Sequence, residues 1–374
     1  TDRGGDRIER AVLGGVLSDI QEDDVYDIYS SADELAEFVK SRDPKTIAIN
    51  SSSWLSVADG ISHTEYKKLV ETLGAKYSKR LTSAEQVISD FRVRRVQSEI
   101  IAFANAAEMH RQIVERALSS EVITPGVTTL EDIGWWVQER LLEQGLGSSF
   151  GFGLPRVLYS AVSKRTEAAS PRYFIHSPKY ILQPGDFLGF DMGVKYLNFG
   201  TDYKRNAYLL RPGETSVPAS IQYAFDQGLI ARKIIRKHIK VGRTADETLT
   251  AVSKALEKHG FMYTPFTDIG SEDDKLVKSI IGSGKSGVSI DCHTVGNTGN
   301  SEVAVGPSFA PFRQNRAQVM IQTNNLFSFE YMVHSEIAER PDNPLSINFE
   351  DNHIVTARGV EWLYPPNENI ILVR

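Results

Sequence analysis

The chain has 374 residues, of which 41% are hydrophobic and 24% are charged, the balance of a globular protein that can bury a full core. Its formal net charge is −6 and its isoelectric point is about 5.8, so it lacks the basic surface that nucleic-acid and anionic-membrane partners require. The single cysteine, Cys292, excludes an internal disulfide and any zinc cluster built on several cysteines.

Residues 1–91 alternate short apolar segments with helix-capping signals. Three segments rich in β-branched and aromatic residues predict strands at 25–29, 46–50 and 77–81. Three helix starts are predicted by capping boxes, in which a serine precedes an acid or amide by three residues: Ser31 with Glu34, Ser62 with Glu65, and Ser83 with Gln86. Strand-helix alternation of this kind predicts a small α/β domain.

Residues 92–374 begin with a long amphipathic segment. Apolar side chains recur at helical spacing from Val96 to Ser119 and predict one helix. His110 lies on the same stripe, which predicts a buried, hydrogen-bonded core histidine.

A pattern of paired helices then occurs twice in this region. The long helix is followed by a helix capped by Thr128 with Glu131. A helix predicted at 219–240 is likewise followed by one capped by Thr244 with Glu247. Such an internal duplication predicts two similar halves around a pseudo-twofold axis, with a cleft between them as a natural place for a site.

A predicted β-hairpin carries the first pair of acidic residues. Residues 185–210 predict two strands that turn near Tyr196 and Leu197, and this centre places Asp191 opposite Asp202. Two facing carboxylates among apolar residues repel each other, and a cation between them or a proton on one relieves the repulsion. Taken alone, the hairpin also fits one aspartate that faces solvent and one that caps the turn.

Three further residues favour metal binding. Glu330 and Glu350 each lie inside a predicted strand among aromatic and aliphatic residues, where an unpaired charge is costly. His293 lies between the hairpin and these strands, at the start of a glycine-rich loop. Carboxylates together with one imidazole suit two divalent cations bridged by carboxylates.

This set of residues resembles the pita-bread metallopeptidase family that contains aminopeptidase P, prolidase, creatinase and methionine aminopeptidase. The positions that match the family pattern in type, spacing and order are Asp191-Met-Gly193, Asp202-Tyr-Lys-Arg205, His293, Glu330 and Glu350. The resemblance implies an α+β pita-bread fold over residues 92–374 and a homodimer. The small domain at 1–91 is similar to that of the aminopeptidase P, prolidase and creatinase branch, in a shortened form.

The chain departs from the family pattern on the substrate side. Family peptidases carry a substrate-contacting histidine seven residues after the metal histidine, where this chain has Asn300, a candidate catalytic residue by its position. Thr298 replaces a histidine found in one subgroup, and Asn348 replaces a common arginine. His176 and His334 are candidates to compensate for these losses.

The resemblance implies two divalent ions, with manganese suited to the carboxylate-rich ligands and zinc, cobalt or iron as alternatives. In this scheme Asp191 chelates one ion, His293 completes the shell of the other, and Asp202 and Glu350 bridge them. Glu330 is both a ligand and the acceptor of a proton from a metal-activated water. Three activities stay open: a proline-directed aminopeptidase or dipeptidase, a hydrolase of another small amide or C–N bond as in creatinase, and a weakly active metal-binding protein.

Other motifs exclude further classes of function. The glycine-rich run 282–287 fits neither a P-loop nor a dinucleotide fingerprint, because the required glycine and the following helix are missing.

The expected partner is a small peptide or amide, with no nucleic acid and no membrane, since no apolar run reaches the roughly 18 residues of a membrane span. The chain starts at Thr1. We expect a cytoplasmic protein or, if this start is a processed one, a periplasmic or secreted protein.

Overall fold

The computed structural model describes residues 32–149, 151–163, 171, 174–197, 199–267, 270–296 and 305–374. The chain divides into two compact units, Thr1–Asp90 and Phe91–Arg374. The strand predicted at 25–29 and the Ser31 capping box lie outside the described residues. In the described part of the chain, no helix combines the length and the hydrophobicity that crossing a membrane requires.

The first unit contains a small parallel sheet with helices between its strands. The elements, including the helix that leads out of it, are α1 (Ala32–Arg42), β1 (Ile47–Ile49), α2 (His63–Ser78), β2 (Leu81–Ser83) and α3 (Glu85–Val93). As predicted, the Ser62 hydroxyl caps α2 by accepting a hydrogen bond from the backbone of Glu65. The strand predicted at 77–81 is wrong, because Tyr77 belongs to α2 and is buried with Leu73 one turn earlier.

The second unit contains five helices and fifteen strands among its described residues. The helices are α4 (Gln97–Ala117), α5 (Leu130–Glu143), α6 (Ala219–His238), α7 (Ala245–Lys258) and α8 (Gly270–Lys278). The strands are β3 (Gly147–Ser148), β4 (Arg156–Tyr159), β5 (Phe187–Met192), β6 (Val194–Tyr196), β7 (Phe199–Gly200), β8 (Tyr203–Leu209), β9 (Met262–Tyr263), β10 (Gly287–Ile290), β11 (His293–Thr294), β12 (Asn325–Ser328), β13 (Tyr331–Ile337), β14 (Arg340–Phe349), β15 (Asn352–Thr356), β16 (Gly359–Trp362) and β17 (Ile371–Val373).

The two predicted helix pairs are α4 with α5 and α6 with α7. Along α4 the buried residues recur every three or four positions, and His110 among them lies 2.8 Å from the Thr201 hydroxyl. Thr244 caps α7 with Glu247 as predicted. The cap of α5 is Thr129 with Asp132, one residue later than predicted, because Thr128 is buried and bonded to the loop before it.

The strands form four sheets in this unit, with strand orders β14-β13-β10-β9, β11-β12-β15-β16, β17-β8-β5-β4 and β3-β6-β7. Two hydrophobic cores lie on them, one with α4 and α5 and the other with α6 and α7. Each helix pair therefore covers its own sheet, as the duplicated sequence pattern predicts. At three points the chain crosses between the sheet of β10, β13 and β14 and the sheet of β11, β12 and β15. Each crossing takes a break of two residues, between β10 and β11, between β12 and β13, and between β14 and β15.

Candidate metal centre

The hairpin that carries the two aspartates has a different register from the predicted one. Tyr196 pairs with Phe199, so the centre of the turn lies one residue later than the sequence interpretation placed it. As a result, Asp191 pairs with Lys204 and not with Asp202. Asp202 precedes Lys204 by two residues, so both side chains lie on the sheet face that carries Asp191.

The prediction that Glu330 and Glu350 lie in the middle of strands is wrong. Glu330 lies in the break between β12 and β13, and Glu350 lies in the break between β14 and β15. His293 follows the third break directly. The backbone N–H of Asp291 donates to the Glu330 carbonyl over 3.0 Å, and that of Lys204 donates to the Glu350 carbonyl over 3.2 Å. These bonds bring the bent strands and the hairpin together at one point.

Asp202, His293 and Glu350 form a buried group that fits one metal ion. One ligand atom from each lies within 4.8 Å of the others. His293 Nδ1 lies 3.0 Å from the Thr294 carbonyl, an arrangement in which Nδ1–H donates and Nε2 keeps its lone pair for a metal. Nε2 is 3.8 Å from Asp202 Oδ2 and 3.7 Å from Glu330 Oε2. Two atoms that are each about 2.1 Å from one ion lie at most about 4.2 Å apart, so these separations suit a shared cation.

A lysine ammonium lies among the other carboxylate oxygens. Lys204 Nζ is 2.5 Å from Glu330 Oε1, 2.6 Å from Glu350 Oε2 and 3.4 Å from Asp191 Oδ2, and its side chain is only 7% exposed. Arg156 Nη1 lies 3.5 Å from the same oxygen of Asp191. The five predicted ligands therefore lie together, but the cluster also contains a cation of the protein itself, which sequence analysis did not identify.

Burial and mutual repulsion perturb the carboxyl groups strongly. Burial raises the pKa of Asp202 to about 7, although the Lys204 charge opposes the rise, and burial together with neighbouring carboxylates raises the pKa of Glu350 well above its usual range. Burial also acts on Glu330, but the charge of Lys204, together with the neighbouring His293 side chain, outweighs burial and lowers the pKa of Glu330 to about 2. Protons therefore compete with a divalent ion for Asp202 and Glu350.

Buried polar groups hold the bend that carries Glu350. The Ser328 hydroxyl donates to Glu350 Oε1. The next residue, Asp351, accepts a hydrogen bond from Arg205 Nη1 over 2.7 Å, and Arg205 Nε donates to Glu115 over 3.1 Å. Arg205, the arginine of the hairpin motif, thus fixes the backbone beside a candidate ligand and does not touch the carboxylate cluster.

A cavity of about 360 Å³ opens onto Asp191, Lys204 and Glu330. Its apolar wall consists of Leu158, Pro171, Phe174, Phe190, Phe266 and Met332. Polar groups on the wall come from Arg156, Asn206, Asp291, Ser346 and Asn348. The volume is near the lower end of the roughly 300 to 1,000 Å³ that is typical of small-molecule sites.

The predicted substrate-side residues have different positions. Asn348 lines the cavity. His176 is exposed, and its ring centre lies 5.4 Å from that of Phe174, a wall residue. His334 is buried, and its ring nitrogens lie 2.9 and 2.7 Å from the hydroxyls of two serines, which indicates a structural role. Asn300 and Thr298 lie outside the described residues, so their roles stay predictions.

Comparison with known proteins gives one family match. Residues 102–357 match the model of metallopeptidase family M24, which is more than half of the chain. No curated protein matches the chain significantly.

Solved structures of similar fold cover most of the chain. An X-Pro aminopeptidase from Thermotoga maritima aligns with a TM-score of 0.59 and 18% identity over 91% of this chain and 79% of its own. The dipeptidase PepE from Mycobacterium ulcerans aligns with a TM-score of 0.58 and 16% identity over 98% and 82%. An Xaa-Pro dipeptidase from Bacillus anthracis aligns with a TM-score of 0.56 and 19% identity over 91% and 78%. At these identities the likeness establishes the α+β pita-bread fold.

Proposed function

This chain belongs to metallopeptidase family M24, and we propose that it is a metal-dependent hydrolase of short peptides, with proline-directed aminopeptidase or dipeptidase activity as the leading candidate. The observation that carries the proposal is the buried group of Asp202, His293 and Glu350, which fits a divalent ion beside an apolar cavity. Manganese suits this oxygen-rich set of ligands, with zinc, cobalt and iron as alternatives.

The residues around the group have separate tasks in this proposal. A bound divalent ion supplies an electrophile for a carbonyl oxygen and lowers the pKa of its water towards about 7. Glu330 Oε1 accepts a hydrogen bond from Lys204, which fixes the carboxylate and directs Oε2 towards His293. Oε2 is therefore the atom at which we expect Glu330 to accept a proton from the attacking water.

The cavity wall supports a small substrate with an apolar residue next to the cleaved bond. Phe174, Phe190 and Phe266 provide flat aromatic surfaces, and Met332 a flexible apolar side chain, against which a pyrrolidine ring can pack. The Arg156 guanidinium lies 4.6 Å from the centre of the Phe174 ring and is 37% exposed. A guanidinium held in this way can pair with the carboxylate of a peptide.

A second candidate is a hydrolase of another small amide or C–N bond. Asn348 lines the cavity at the position where the family pattern has an arginine, and Lys204 brings a positive charge to the carboxylate cluster. Both residues affect the charge that a substrate meets. They favour a substrate whose polar groups differ from those of a common Xaa-Pro peptide.

The experiment that tests the proposal is a cleavage screen on the purified protein with added Mn²⁺. Xaa-Pro dipeptides and tripeptides are compared with matched Xaa-Ala peptides and with a panel of small amides, and Glu330→Gln is the inactive control. Preferred cleavage before proline supports the leading activity, and cleavage of small amides alone supports the second. If the metal-bound protein cleaves none of these substrates, it is a metal-binding protein without this activity, and the proposal is contradicted. The homodimer suggested by the family resemblance is tested by sedimentation of the same sample.

A further inference from the structure

We infer that Lys204 takes the place of one divalent cation, so that the centre holds a single metal ion instead of the pair predicted from the sequence. The inference rests on the proposed metal-dependent function, since it concerns the number of ions at the same site.

The position of the ammonium is the first argument. Its nitrogen contacts carboxylates from three separate parts of the chain: Asp191 on β5, Glu330 before β13 and Glu350 before β15. A metal ion shared by the same oxygens would lie about 2.0 to 2.2 Å from each. It would therefore occupy nearly the space that Lys204 Nζ already fills, and the two cannot be present together.

The fixation of Lys204 is the second argument. Its backbone pairs with Asp191 in the sheet, and its N–H donates to the Glu350 carbonyl. The side chain is 7% exposed, and its nitrogen makes hydrogen bonds of 2.5 Å to the largely buried Glu330 carboxylate and 2.6 Å to the fully buried Glu350 carboxylate. Withdrawal of the ammonium into the cavity would break both of these charge-assisted bonds, which are about twice as strong as neutral ones.

Charge balance is the third argument. The four carboxylates of Asp191, Asp202, Glu330 and Glu350 carry four negative charges, which two divalent ions would neutralise in the absence of a lysine. With the ammonium of Lys204 present, two divalent ions would place five positive charges against four. A single divalent ion with the ammonium leaves one net negative charge, which the Arg156 guanidinium beside Asp191 offsets. It also keeps the lysine away from a second dication, which is the less costly arrangement in a buried site.

The geometry also assigns the position of the remaining ion. Asp202, His293 and Glu350 converge on one point, where the His293 Nε2 lone pair is directed. Asp191 is not part of that group, and its Oδ2 pairs with two cations of the protein, Lys204 at 3.4 Å and Arg156 at 3.5 Å. Asp191 is therefore a partner of Lys204 and not a ligand of the ion.

The test is to count bound metal in the wild type and in Lys204→Ala. Each protein is loaded with Mn²⁺ alone, desalted and measured by elemental analysis and titration calorimetry. Lys195→Ala is the matched control, because Lys195 is exposed on the same hairpin. We expect one ion per chain in the wild type and in the control, and two in Lys204→Ala.

The outcomes separate this inference from the proposed function. A count of zero in the wild type would contradict both the single ion and the metal-dependent activity, whereas a count of two would overturn the inference and leave that activity standing. Equal counts in the two proteins would overturn the inference. If Lys204→Ala does not fold, the electron paramagnetic resonance spectrum of Mn²⁺-loaded wild type decides: the spectrum of an isolated ion supports the inference, and that of an exchange-coupled pair overturns it.

Discussion

Replacing Lys204 by methionine removes the ammonium and keeps a side chain of similar length in place. The ammonium lies 2.5 and 2.6 Å from Glu330 and Glu350. Lys204 and Glu350 are buried, and the Glu330 side chain is 13% exposed. Breaking a buried ion pair by removal of one partner costs about 3 to 5 kcal/mol, because the other charge is left uncompensated. Glu350 can take up a proton instead, since its pKa is already raised by burial, so we expect the lower end of this range below neutral pH and the upper end near pH 8.

The assay is urea unfolding followed by tryptophan fluorescence, to which Trp135, Trp136 and Trp362 of the second unit contribute. In chelator at pH 8 the variant should lose about 3 to 5 kcal/mol, while the control Lys195→Met should change by less than about 0.5 kcal/mol. Saturating Mn²⁺ at a hundred times its dissociation constant should restore about 2.7 kcal/mol. If Lys204→Met in chelator has the same unfolding free energy as the wild type, the view that this lysine neutralises the carboxylates is refuted.

Three further changes test other parts of the account. Glu330→Gln should lower kcat by about 10²- to 10⁴-fold in a steady-state assay with unchanged metal content, and wild-type turnover would exclude the proposed proton acceptor. His353 is buried, and its ring nitrogens have no hydrogen-bond partner among the described residues. Burial lowers its pKa to about 3. Its contribution to stability is therefore complete above pH 6.5 and is lost as the pH falls towards 3. His353→Phe should therefore keep its stability at pH 7 and reduce the acid slope of the unfolding free energy by about 1.4 kcal/mol per pH unit, and an unchanged slope would contradict this. Gly228→Ala would place a Cβ 2.1 Å from the Phe349 ring and should lower the unfolding free energy by about 1 to 3 kcal/mol. In the control Gly147→Ala, the new Cβ meets no atom within 4 Å, so the unfolding free energy should not fall. Equal effects of the two substitutions would contradict the packing argument.

The helices could be predicted well because their signals are local. A capping box and a stripe of apolar residues involve neighbours within one or two turns, and α7 begins where Thr244 and Glu247 predict. The cap of α5 was placed one residue early because both Thr128 and Thr129 precede an acidic residue by three positions. Only tertiary burial distinguishes them, since Thr128 packs inward and Thr129 makes the capping bond.

The register predicted for the hairpin that carries Asp191 and Asp202 was wrong, although the sequence contains a signal for the correct register. Asparagine is favoured in two-residue hairpin turns that need a positive φ, and Asn198 follows Leu197, whose φ is 53°. A turn centred on these two residues places Lys204 opposite Asp191. The motif's aspartates and arginine do not by themselves indicate a role for the lysine between them, although its parity puts it on the same face as Asp202.

The bends at Glu330 and Glu350 could not be predicted from local pattern. Phe329 and Tyr331 flank Glu330, and apolar residues precede Glu350 at Phe349 and resume after it at Ile354, so each segment reads as one strand. In the fold each strand leaves one sheet and enters another, and the glutamate lies in the two-residue break. The packing of two sheets decides this, and no neighbour in the sequence encodes it.

The most direct test of the account is the anomalous scattering of manganese in crystals grown with Mn²⁺. The account predicts one peak per chain, bounded by Asp202, His293 and Glu350, with the Lys204 ammonium still among Asp191, Glu330 and Glu350. A second peak beside Asp191 with the lysine displaced, or no peak in the cluster at all, would contradict it.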